Sequence, residues 1–169
     1  MKQLTHYDIE NKQQQFPITI VCDAIRTPEN IGMCFRISES FGVQKIYFHE
    51  NSPSVTNRIV QKTARNTIAE IAYDTYEDFS HLIQQLKAQG NIIVGIEITD
   101  ESIHIQDFDF SKHEKIVLLL GSERNGISEI DLVDTTIAIP MFGRNSSMNV
   151  VHSLAITLYE ATNQLSIKN

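Results

Sequence analysis

The sequence predicts an α/β fold, a mostly parallel sheet with helices on both faces. Three observations point there. Bursts of apolar and β-branched residues alternate with segments of helical period. Several bursts are apolar at nearly every position, as strands covered on both faces are. The chain has 169 residues, 41% of them hydrophobic and 21% charged, which suits a single domain with a real core.

The elements follow in order. Strands are expected at residues 17–23 (PITIVCD), 44–49 (QKIYFH), 68–73 (IAEIAY), 91–98 (NIIVGIEI), 115–121 (KIVLLLG) and 135–140 (TTIAIP). Between them, apolar residues at helical spacing predict helices over 29–42, 54–64, 75–90 and 146–165. Asn30 can cap the first helix, and Gly90 closes the third with a normal stop signal. Residues 17–169 are read as the domain and 1–16 as a short polar extension. The first fifteen residues lack the apolar core of a secretory signal, and no run is long enough to span a bilayer, so a cytoplasmic location without membrane contact is expected.

Charge and ligand chemistry narrow the function. The net charge of -7 argues against a generic basic coat for nucleic acid. It is unevenly spread: residues 26–65 carry six basic side chains against three acidic ones, a local face that could meet a polyanion through a few phosphate contacts. A solvated surface of ordinary scatter is the competing reading. Cys22 and Cys34 form neither a CxxC pair nor a disulfide framework and read as reduced, half-buried thiols. The six histidines show no metal-ligand spacing, so no metal is expected.

In open α/β sheets ligands bind beyond the carboxyl ends of the strands, and three segments there carry chemistry. The first, 23–32 (DAIRTPENIG), leads into a helix where Arg36 sits among Met33, Cys34, Phe35 and Ile37. A guanidinium in that company needs a partner or a cleft, unless it snorkels to solvent. The second, 121–128 (GSERNGIS), approaches the GxxxxGK[ST] phosphate loop but has Ile127 in the lysine's place, and it is not GxGxxG. A tight glycine turn offering Glu123 to a hydroxyl or amine is the reading that survives, beside a plain surface turn. The third, 139–150 (IPMFGRNSSMNV), places four consecutive polar residues before an apolar helix, more than capping alone requires.

In this order and spacing, NIGMCFR, LLLGSERNGIS and IPMFGRNSSMNVVHSLAITLYE resemble the three motifs of the SpoU/TrmH family of SPOUT RNA 2'-O-ribose methyltransferases, over residues 17–163. The resemblance implies a C-terminal deep trefoil knot that forms a pocket for S-adenosylmethionine, and a homodimer that shares its RNA site between protomers. It places the family's motif residues on Asn30, Arg36, Glu123, Ser147 and Asn149 as the catalytic set. Ile96, Gly121, Ile139, Met141 and Met148 would hold the cofactor. Arg26, Lys62, Arg65, Arg124 and Arg144 would meet RNA. Departures are Met148 for the usual leucine, Val151 for a hydroxyl residue, Arg124 and Asn125 where small or acidic residues are more usual, and Asn66 at a place where glycine is common, a residue that tolerates positive φ.

The implied reaction is methyl transfer to a ribose 2'-hydroxyl of tRNA or rRNA. With about sixteen residues ahead of the first strand, and none of the N-terminal RNA-recognition domain of larger relatives, tRNA is favoured. The family proposal makes Arg36 the base; a guanidinium that clamps the neighbouring phosphate and lowers the hydroxyl's pKa fits its chemistry better. The alternative is a catalytically silent RNA-binding knot module.

Overall fold

A computed structural model describes residues 1–4, 8 and 13–167, so most of the polar extension lies outside the described residues. Alternation decides the layers. Along Phe16–Cys22 (β1), Ile18, Ile20 and Cys22 enter one apolar cluster while Val21 enters a second. Ile116–Leu120 (β6) is buried at every position and divides the same way, with Ile116, Leu118 and Leu120 facing one cluster and Val117 and Leu119 the other. Each fully buried side chain of this size contributes about 2 kcal/mol of transfer free energy.

The remaining elements are Pro28–Ser40 (α1), Val43–His49 (β2), Arg58–Ala64 (α2), Ala72–Tyr76 (β3), Phe79–Ala88 (α3), Ile92–Ile96 (β4), Ile103–His104 (β5), Thr135–Ala138 (β7) and Val150–Ser166 (α4). The sheet has seven strands in the order β3-β2-β1-β6-β4-β7-β5, and every pairing is parallel. Helices α1, α2 and α4 cover the first cluster, through residues such as Phe35, Val60 and Leu158, and α3 covers the second through Leu82, Ile83 and Leu86. The chain moves outward through β2 and β3, then crosses to β4 on the other side of β1. The strand order reverses at the β1–β6 seam, where open sheets place their ligands. No described helix is long and apolar enough to cross a membrane.

Several boundaries differ from expectation. The third strand is Ala72–Tyr76 rather than 68–73, because Thr67–Ala69 closes into a 3₁₀ turn and the strand is an edge whose first four residues are exposed. Helix α2 starts at Arg58, where the Asn57 side chain accepts from the Ile59 amide at 2.8 Å, and α3 starts at Phe79, where Asp78 accepts from His81 at 2.9 Å. Asn30 does not cap α1: the N-cap is Thr27, and Asn30 lies buried inside the first turn. Both cysteines are fully buried, and burial with the neighbouring Cys34 thiol pushes the Cys22 thiol well up. The positive φ expected at Asn66 falls one residue earlier: Arg65 has φ 57° and ψ -127°, a glycine region, while Asn66 has φ -85°.

Candidate active site at the strand ends

Past the ends of β6, β4 and β7 lies a cavity of about 370 Å³. One wall is the turn 121–128. Ser122 and Gly126 form a bridge, with reciprocal amide-to-carbonyl bonds of 2.9 and 3.2 Å. The turn closes so tightly that a Cβ on Gly121 would lie 2.3 Å from the Gly126 carbonyl carbon, and Gly126 itself has φ +66°. Only glycine meets both demands.

Two carboxylates fasten this turn to the loop after β1. Glu123 accepts from the Arg26 amide at 3.1 Å, the Thr27 amide at 3.0 Å and Asn30 Nδ2 at 2.9 Å. Partial burial opposes its ionisation, yet these donors hold the carboxyl down at about 2. Asp23 accepts from the Ser128 amide at 2.6 Å. Glu123 therefore engages both oxygens with the protein, Oε1 twice and Oε2 once, which leaves a lone pair of Oε2 for a ligand's hydroxyl or amine at the cavity wall.

The chain of bonds continues. Asn149 donates from Nδ2 to Asn30 Oδ1 at 3.2 Å, and its own Oδ1 caps α4 by accepting from Val151 at 2.9 Å. Glu123, Asn30 and Asn149, far apart in sequence, thus join the turn, the start of α1 and the start of α4. Ser147 is exposed and lines the cavity. Arg36 is not part of this set. It lies half-buried further along α1, does not line the cavity, and its guanidinium makes no hydrogen bond or ion pair with another described residue.

Ile96, Gly121, Ile139, Met141 and Met148 all line the cavity. Arg124 is exposed at its rim, and Arg144 is exposed on the loop after β7. Lys62 and Arg65 are exposed at the end of α2, and Arg26 lines a separate cleft. Glu97, just past β4, also lines the cavity and was missed; its Oε1 accepts from the Ile98 amide at 3.0 Å, and its other oxygen faces Gly126. A carboxylate directly after an apolar strand is the signal that could have found it. Among the described residues no group of three or more His, Cys, Asp or Glu could hold a metal ion.

A family model described as the SpoU rRNA Methylase family matches residues 17–159. The chain is 26% identical over 164 residues to the 23S rRNA (guanosine-2'-O-)-methyltransferase RlmB of Neisseria meningitidis serogroup B, covering 96% of this chain and 64% of that protein. It is also 26% identical over 154 residues to the tRNA (guanosine(18)-2'-O)-methyltransferase of Escherichia coli K12, covering 90% of this chain and 66% of that one. The chain therefore spans a little under two thirds of either relative. The fold matches the SpoU methyltransferase AviRb of Streptomyces viridochromogenes, solved with AdoMet, at a TM-score of 0.80 and 22% identity, over 98% of this chain and 66% of that one.

Proposed function

The chain belongs to the SpoU rRNA methylase family, and on that premise we propose that it transfers a methyl group from S-adenosylmethionine to a ribose 2'-hydroxyl of structured RNA. One observation carries the reading: Ile96, Gly121, Ile139, Met141 and Met148, from separate stretches of chain, line one cavity. The residues fit the cofactor's chemistry. Apolar walls from Ile96, Ile139, Met141 and Met148 suit its purine and thioether-like carbons, and the Glu97 and Glu123 carboxylates give a cation favourable surroundings.

When bound, S-adenosylmethionine supplies an electrophilic methyl carbon. The protein's part is positioning and proton removal. Arg36, whose guanidinium has no partner among the described residues, is assigned to an RNA phosphate beside the target ribose, which its planar fork grips in two places. Its charge lowers the pKa of the neighbouring hydroxyl, and its own proton stays in place. Asn30, Glu123 and Asn149 hold α1, the turn and α4 in register, and Ser147 offers a hydroxyl at the cavity mouth. Arg26, Lys62, Arg65, Arg124 and Arg144 are the RNA contacts in this reading, all of them exposed.

The same reading takes residues 17–169 as one cytoplasmic catalytic domain with a trefoil-knotted C-terminal part, working as a homodimer. Support for the dimer comes from α4, where Tyr159 is 64% and Ile156 40% exposed, apolar side chains one turn apart that the described residues leave uncovered. Relatives named for tRNA and for 23S rRNA both support an RNA substrate, and tRNA is tried first.

The test is transfer of labelled methyl to tRNA and rRNA fractions lacking the modification, followed by digestion to nucleosides. Label in a 2'-O-methylnucleoside, lost in Arg36→Ala and in Arg36→Lys, is the expected result. Full turnover by Arg36→Lys contradicts the role of the planar fork. Cofactor binding without transfer to any RNA favours the silent module.

A further inference from the structure

A second concavity, of about 980 Å³, opens past the ends of β1, β2 and β3, on the other side of the wall that closes the first cavity. The two share that wall. Asp23 and Arg26 line the cleft, and the bonds from Ser128 to Asp23 and from Arg26 to Glu123 are the ones that fasten the turn 121–128. The cleft is therefore next door to the proposed methyl-transfer site, on the β1-β2-β3 side of the strand-order reversal near which open sheets take ligands.

Its chemistry is unlike a phosphate site. His49, Glu77, Asp78 and Glu129 line it, and Arg26 is its sole Lys or Arg among the described residues. Asp78 is committed to the α3 cap, and Glu129 accepts from Ser80 Oγ at 2.6 Å. Glu77 is exposed and makes no hydrogen bond or ion pair with another described residue, which leaves both carboxylate oxygens open. His49 Nδ1 accepts from the Asn51 amide at 3.1 Å, which puts the proton of the neutral ring on Nε2 and makes that edge a donor. The cleft thus holds a two-oxygen acceptor and an imidazole donor, with a cation at the boundary nearest the transfer site.

We infer that this cleft receives a nucleobase of the RNA substrate and reads it by its edge, Glu77 accepting from paired N–H groups such as guanine's N1–H and amino group. His49 Nε2–H serves the neighbouring carbonyl oxygen, and Arg26 meets the phosphate at the boundary. Two acceptor oxygens side by side match two donors side by side, as an arginine fork matches a carboxylate. Uracil presents a single N–H between two carbonyls and meets Glu77 with repulsion on either side. This inference rests on the proposed RNA reaction, since it is that reaction which brings a nucleotide to the shared wall.

The test is amide chemical-shift titration of the whole chain with guanosine, adenosine, cytidine and uridine 5'-monophosphates, with ribose 5-phosphate as the sugar-phosphate control. S-adenosylmethionine is added last to each sample. The expected result is that guanosine monophosphate moves the amides of 49–52 and 76–79, binding at least fivefold tighter than uridine monophosphate. Glu77→Gln and His49→Ala, both at solvent-accessible positions and checked for folding by their own spectra, each remove that preference. Equal shifts from all four nucleotides, or shifts no larger than those from ribose 5-phosphate, overturn base reading. No shift at the cleft overturns the site. Shifts from S-adenosylmethionine around Gly121 and Ile139 report separately on the methyl-transfer reading, so either can fail while the other stands.

Discussion

Two loops wall the cavity, and they are built on opposite plans. The turn 121–128 is held at four points by the carboxylates of Glu123 and Asp23 and closed on itself by the Ser122–Gly126 bridge. The loop 141–148 makes no hydrogen bond to any described residue, and it carries Phe142 at 97% exposure. One wall is set before a ligand arrives, and the other has no hydrogen bond to a described residue along its length, only the partial burial of Met141 and Met148 near its ends. Such a contrast teaches where binding free energy goes: the fixed wall provides geometry at no ordering cost, and the open one must be ordered by what it covers.

The largest effect comes from breaking the fixed wall at its tightest point. Gly121→Ala puts a Cβ 2.3 Å from backbone that cannot retreat without opening the bridge. Overpacking of that kind costs about 3 kcal/mol, so S-adenosylmethionine affinity falls about 100-fold by calorimetry. The same substitution at Gly143, where a Cβ meets nothing within 4 Å, leaves affinity within about twofold and sharpens the contrast between the loops.

Next is the charge that fastens the turn. Glu123→Gln weakens three charge-assisted bonds, and after allowance for the exposure of the group the loss is about 1 kcal/mol, or a Tm lower by about 3 °C. Its pH dependence identifies the cause. The carboxyl is held at about 2 against an ordinary 4.5, so its contribution is complete above 4.5 and disappears as pH falls towards 2. The Tm gap between the wild type and Glu123→Gln therefore closes over that window, and a gap unchanged at pH 3 contradicts the assignment.

Where the open loop ends, Asn149 ties the chain to α4 and to α1. Asn149→Ala removes the α4 cap and the bond to Asn30, lowering stability by about 1 kcal/mol in denaturant unfolding without altering the midpoint slope. The smallest change has the opposite sign. Arg65 occupies a glycine region, with strain of about 1–3 kcal/mol, and Arg65→Gly gives up part of that in chain entropy. A Tm rise of about 2 °C with weaker RNA binding is the expected outcome, and a Tm drop would mean the side chain has a structural task.

Much of this was legible because periodicity reports burial. Strands such as Ile116–Leu120, apolar throughout, and helices with an apolar stripe stood out in the sequence. What failed was local geometry that apolar patterning does not encode. The run IAEIAY looks like a strand, yet its first residues turn and only the exposed edge beyond them pairs. Ile103–His104 is too short to give a period. In the site, the residue types came from the motifs, but their partnership did not: Asn30 and Glu123 stand 93 residues apart, and only the parallel β1–β6 pairing brings their loops together. The sequence likewise put the positive φ on asparagine, the more tolerant residue, where the backbone puts it on Arg65.

The central question is what the cavity between these loops holds. Amide hydrogen exchange with and without S-adenosylmethionine addresses it directly. Amides of 141–148 are expected to exchange freely alone and to slow at least about tenfold when the cofactor is added, while Ser122, Gly126 and Ser128 are protected in both states. Exchange that the cofactor leaves unchanged in 141–148, or protection that develops only at sites remote from the cavity, would contradict this expectation.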